Sequence, residues 1–147
     1  MNRKVVIDAS VSASWFLYDE FNQKADELLK EVIHGRIDLF QPVLWKYEIV
    51  NVLRTAILHK RIARDKARLA VSTINSIKVE YLVPNNEDMI SLMKLADENS
   101  LTAYDASYLH VAEITSGELF TSDKDLLKLK NKYPFVRKID EFTVKYN

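Results

Sequence analysis

Cysteine is absent from the 147 residues. That excludes disulfides, thiol nucleophiles and cysteine-ligated zinc. Glycine occurs twice and proline three times. Two glycines cannot build a glycine-rich phosphate loop, and no Gly-x-Ser-x-Gly nucleophile elbow occurs. So few breakers leave little room for long loops, linkers or low-complexity tracts. No apolar run approaches the roughly 18 residues of a membrane span, and the three apolar residues before Asp8 are too few for a signal-peptide core. The chain reads as soluble and cytoplasmic. An excess charge of one sign is also missing, with 21 Lys plus Arg against 21 Asp plus Glu. Any nucleic acid would have to be met by a local patch.

What is present is ordinary globular composition, 48% hydrophobic and 29% charged, which rules out disorder and fibrous repeats. The length suits one domain over residues 1–147. Residues 5–7 form a short unbroken apolar run, as in a strand buried on both faces. Further strands are expected at 38–40, 80–83, 119–121 and 135–139. Between them lie helical patterns at 22–34, 43–59, 65–77, 102–114 and 122–130, and one capped by Asn86 that carries Met89, Leu92, Met93 and Ala96. Ala67, Val71, Ile74 and Ile77 are expected on one side of the 65–77 helix. Gly35 stops the first of these helices. Ser10, Ser12 and Ser14 read as loop and cap residues. Strands alternating with helices mean an α/β domain with a mainly parallel sheet, whose ligand site lies beyond the carboxyl ends of the strands.

Four carboxylates fall in unusual places. Asp8 ends the first strand, although a turn or cap aspartate would look the same. Glu48 is the only acid between Pro42 and Arg54, on a helix apolar on nearly every side and so expected to be mostly buried. It needs a partner there, either a lysine or arginine or the site itself. Asn51 follows one turn on, on the same face. Asp105 stands three residues after Thr102, the capping-box spacing, yet shares a face with Leu109 and Ala112. Asp123 follows the fourth strand and is preferred to Asp125, though either could cap the next helix. Four converging carboxylates raise each other's pKa. A divalent cation resolves the repulsion, and an oxygen-only donor set favours Mg²⁺ or Mn²⁺.

Residues 54–68 hold Arg54, Lys60, Arg61, Arg64, Lys66 and Arg68 against Asp65 alone. This segment is either a solvated helix surface or a phosphate-contacting patch, with Arg54, Lys60, Arg61 and Arg64 as the candidates for nucleic-acid binding. His34, His59 and His110 read as structural, and Trp15, Phe16 and Trp45 as core.

Val-Ile-Asp8-Ala-Ser, Tyr-Glu48-Ile-Val-Asn51-Val-Leu, Ala-Tyr-Asp105-Ala-Ser-Tyr-Leu-His-Val-Ala and Phe-Thr121-Ser-Asp123-Lys-Asp125-Leu, in this order, resemble the four motifs of PIN-domain nucleases. At this size the chain looks most like a VapC-type toxin. The resemblance implies a five-stranded parallel sheet between helices and a Mg²⁺-dependent endoribonuclease that leaves a 5′-phosphate and a 3′-hydroxyl. It also implies a VapB-type antitoxin partner and a homodimer. Asp8, Asp105 and Asp123 would hold the metal. Glu48 would orient or deprotonate the attacking water, or hold a second ion. Thr121 or Ser12 would hydrogen-bond near the acids. The alternatives are a PIN nuclease of RNA turnover without an antitoxin, a metal-dependent phosphatase and a non-catalytic RNA-binding domain. The phosphatase needs a second aspartate two residues after Asp8, where Ser10 stands.

Overall fold

A computed structural model describes residues 1–145. The last two residues of the expected 1–147 domain lie outside it. Five strands, β1 (Arg3–Ile7), β2 (Ile37–Pro42), β3 (Val79–Leu82), β4 (Glu118–Thr121) and β5 (Val136–Lys138), make one sheet. Their order is β3-β2-β1-β4-β5 and every neighbouring pair is parallel. β1 is central. Val5, Val6 and Ile7 are all fully buried, and successive residues of a strand face opposite ways, so both faces of the sheet are covered.

The helices are α1 (Ala9–Ala13), α2 (Gln23–Ile33), α3 (Leu44–Leu58), α4 (Arg64–Ser76), α5 (Asn86–Asn99), α6 (Ala103–Thr115) and α7 (Lys124–Leu127). The chain runs outward from β1 through β2 to β3, then returns through α6 to β4 on the other side of β1. The switch of direction between β1 and β4 opens a crevice at their carboxyl ends.

Several local expectations change. Residues 10–14 belong largely to α1 rather than to a loop, because Asp8 caps the helix while Val11 and Ala13 are buried. Asn85, not Asn86, caps α5, in a reciprocal capping box with Asp88. On α5 the buried residue is Leu95, and Met89 and Met93 are exposed. On α4, Ala67, Ala70 and Ile74 are buried and Val71 turns outward. α3 is not buried all round. Trp45, Ile49, Leu53 and Ala56 face the core, whereas Tyr47, Val50 and Leu58 are exposed. α7 is shorter than expected, with Asp123 as its cap. With so little glycine, Lys60, Ser100 and Ser116 take left-handed backbone angles, a conformation that costs an L-residue about 1 kcal/mol or more.

Candidate active site

Asp8 leaves β1 and caps α1, accepting from the Val11 N–H at 3.4 Å. The cap reading of Asp8 is thus realised. The carboxylate is only 5% exposed. Ser10 Oγ donates to its Oδ1 at 2.5 Å, and Thr121 Oγ1 donates to its Oδ2 at 2.5 Å. Thr121 reaches it because β1 and β4 pair with Ile7 opposite Phe120. Thr121 Oγ1 in turn accepts from the Asp123 N–H at 2.9 Å, and Ser10 Oγ accepts from the Ser122 N–H at 3.0 Å. Two hydroxyls thus join the ends of β1 and β4. On the other side, β1 and β2 no longer pair at Ile7. There the buried Gln41 amide replaces the ladder, accepting from Ile7 N–H at 2.9 Å and donating to Ile7 O at 2.7 Å.

Ser12 does not support the Asp8 carboxylate. Its hydroxyl donates to the Asp8 main-chain carbonyl at 3.3 Å and accepts from Trp45 Nε1 at 3.0 Å. Ser10 has the supporting role instead. Its position two residues after an aspartate was the available signal, since a serine there can turn back on the carboxylate.

Burial pushes the Asp8 carboxyl up to about 6. The hydrogen bonds from Ser10, Thr121 and Val11 oppose this rise, and the charge of Asp123 adds to it. Glu48, half-buried on α3, is also raised, first by burial and then by the charges of Asp105 and Asp8. Asp105, half-buried on α6, is raised by burial and by the charges of Asp123 and Asp125. Thr102 caps α6 and accepts from the Asp105 N–H at 3.1 Å. Asp123 Oδ1 caps α7, accepting from Asp125 and Leu126 N–H at 2.7 and 3.2 Å. Asp125 is exposed and pairs with Lys128 at 3.5 Å. The charged groups acting most strongly on Asp8, Glu48 and Asp105 are all carboxylates. Glu48 therefore has acids as neighbours rather than a basic partner.

Tyr108 stands one turn after Asp105 on α6. Its hydroxyl is buried without a hydrogen-bond partner among the described residues. Burial and the charges of Glu48, Asp8 and Asp105 keep it protonated. Glu48 and Tyr108 act on one another, though the contact falls short of hydrogen-bond geometry. The i, i+3 spacing from Asp105 was the missed signal.

By donor type, oxygen atoms of acids whose charges act on one another, the residues match what a hard divalent cation takes. Among the described residues no three His, Cys, Asp or Glu side chains are already drawn together around an ion position. Beside Glu48 an open cleft of about 390 Å³ is lined by Leu44, Tyr47, Asn51, Val52 and Tyr104.

The basic segment is divided. Arg61 is engaged within the chain, donating to Asp19 Oδ2 at 2.9 Å and to Glu20 Oε2 at 2.7 Å. Arg54, Arg64 and Arg68 instead edge a groove of about 430 Å³ between α3 and α4, floored by Leu53, Ile57 and Ala67. Lys60 is exposed at the end of α3. His110 pairs with Asp88 at 3.1 Å, while His34 and His59 cap the ends of α2 and α3. Trp45 is fully buried, and Trp15 and Phe16 pack against the core.

The family model of the PIN domain matches residues 5–132. Ribonuclease VapC3 of Pyrobaculum aerophilum is 27% identical over 135 residues, covering 89% of this chain and 95% of that protein. Among solved structures, PAE2754 from Pyrobaculum aerophilum superimposes with a TM-score of 0.63 at 24% identity, over 95% of this chain and 93% of that one. A toxin–antitoxin complex from Klebsiella pneumoniae gives 0.57 at 17% identity, over 92% and 97%. At these identities the two structures speak to the fold. No described helix is long and apolar enough to cross a membrane.

Proposed function

The chain belongs to the PIN-domain family, and from that premise we propose that it is a Mg²⁺-dependent endoribonuclease, the toxin of a VapBC-type pair. The observation that carries the reading is the shared electrostatic field of Asp8, Glu48 and Asp105, each raised by burial and by other acids at the crevice between β1 and β4. The similarity to a protein named as a ribonuclease and the fold shared with a toxin–antitoxin complex support the substrate class and the antitoxin. A homodimer and a cytoplasmic location are part of the same reading.

Asp8, Asp105 and Asp123 would hold the cation. Mg²⁺, with Mn²⁺ as its substitute, lowers the pKa of water and offsets charge on phosphoryl oxygens when bound. Glu48 would orient the attacking water and take its proton. Ser10 and Thr121 hold the two oxygens of Asp8 in place. In-line attack leaves a 5′-phosphate and a 3′-hydroxyl. The test is cleavage of a mixed RNA with Mg²⁺, with EDTA, and with EDTA followed by Mn²⁺. Loss under chelation and recovery with Mn²⁺ is the expected result. Undiminished cleavage in EDTA would overturn the metal role, and no cleavage at all would overturn the nuclease reading.

A further inference from the structure

Two of the exposed aromatic side chains stand immediately before site acids. Tyr47 precedes Glu48 on α3, and Tyr104 precedes Asp105 at the start of α6. They are 72% and 63% exposed. Both line the cleft of about 390 Å³ that has Glu48 in its wall, together with Asn51, Leu44 and Val52. Two tyrosine rings lining one cleft offer it apolar faces with polar tips.

We propose that this cleft is a nucleobase subsite, in which Tyr47 and Tyr104 receive the face of an unstacked RNA base next to the bond that is cut. The proposal rests on the nuclease reading and adds to it the form of the substrate, a single strand at this point. Charge separates base from backbone. The cleft's lining contains a carboxylate and no lysine or arginine, so the lining itself offers a phosphate no positive partner, whereas a neutral base is not repelled. Aromatic rings take bases of any identity through their faces. The Asn51 amide, exposed one turn after Glu48, offers both a donor and an acceptor to a base edge. The arginine-edged groove between α3 and α4 is a separate surface, so phosphate contacts and base contacts occupy different places.

The experiment uses the full chain and a single-stranded RNA oligonucleotide carrying one 2-aminopurine, whose fluorescence falls when it stacks on an aromatic ring. Binding is read in an Asp8→Asn background, where no cleavage intervenes. Cleavage is read in the otherwise native chain. Tyr47→Ala with Tyr104→Ala should lose the quenching and raise KM about tenfold, with kcat within about twofold and an unchanged thermal midpoint. Tyr47→Phe with Tyr104→Phe should restore both quenching and KM, since the ring face is kept. A matched RNA duplex should bind more weakly than the single strand. Unchanged quenching and KM in the alanine variant would overturn the subsite while leaving the nuclease reading intact. Quenching without any cleavage by the native chain would leave the subsite standing and remove the nuclease reading. If the alanine variant instead changes the oligomeric state in light scattering with RNA affinity unchanged, the face belongs to a second copy of the chain and the proposal is overturned.

Discussion

The Thr121 hydroxyl donates to Asp8 Oδ2 at 2.5 Å while accepting the Asp123 N–H at 2.9 Å, so one side chain sets the spacing of two acids. Thr121→Val keeps shape and burial but removes both bonds. Losses of this kind around metal ligands typically weaken the metal about 10- to 100-fold. Mn²⁺ titration should therefore show a clear rise in dissociation constant with little change in RNA affinity. An unaltered Mn²⁺ isotherm would remove Thr121 from the site.

Asp8 is the most constrained of the acids, and its neutralisation separates activity from stability. Asp8→Asn should abolish RNA cleavage, and so should Asp105→Asn. In EDTA near pH 7 neither variant should be less stable than the native chain, because neutralisation relieves desolvation and like-charge repulsion. Cleavage assays with thermal unfolding check both halves. Full activity in either variant would contradict its place in the site.

The same carboxyl predicts a pH dependence with a definite sign. Its folded pKa of about 6 lies above the ordinary 3.8, so between those values the folded state holds a proton that the unfolded state has released. Metal-free stability from this group is present below about pH 4 and is lost as pH rises through about 6, on the order of 3 kcal/mol in all. The native chain in EDTA should lose stability relative to Asp8→Asn across that window. Saturating Mg²⁺ should flatten the difference, since the cation favours the ionised form. Parallel pH curves for the two proteins in EDTA would refute the assignment.

Tyr108 supplies a test of the orphan hydroxyl. Tyr108→Phe removes a buried hydroxyl that acts on Glu48 without reaching hydrogen-bond geometry, so stability should change by no more than about 1 kcal/mol. The Glu48 carboxyl should titrate higher, because Tyr108 is what lowers it. Carbon-13 spectra of the glutamate carboxyls report this directly, and an unmoved Glu48 would separate the two residues.

The exposed arginines make a further prediction. Arg54→Glu with Arg64→Glu should weaken RNA binding and flatten its salt dependence, since lost phosphate contacts release fewer counterions. The rate at saturating RNA should survive. Arg61 is left out because Asp19 and Glu20 already hold it. A salt series of binding measurements decides. Unchanged slopes, with a selective loss of antitoxin binding, would assign the groove to the protein partner.

Much of the architecture was legible in the chain. The apolar run at Val5–Ile7, the helical spacings and the cap at Thr102 are local signals, and each works through hydrogen bonds and burial within a few residues. The alternation of strand and helix was enough for a parallel sheet, and placing acids after β1 and β4 was enough to locate the crevice. The α3 surface was misjudged because hydropathy counts apolar residues without saying which of them meet a neighbour, so Tyr47 and Val50 looked like core.

Sequence alone determined most of the element types and where Asp8, Glu48, Asp105 and Asp123 stand on them, because helix period, strand alternation and capping are short-range. Only the tertiary structure decided which hydroxyl serves Asp8, that Gln41 completes the β1 edge, that Arg61 is spent on Asp19 and Glu20, and that Tyr108 has no partner. Except for the Ser10–Asp8 turn, these depend on groups some 30 or more residues apart in the chain. Their meeting is set by strand order and register, which no local pattern encodes.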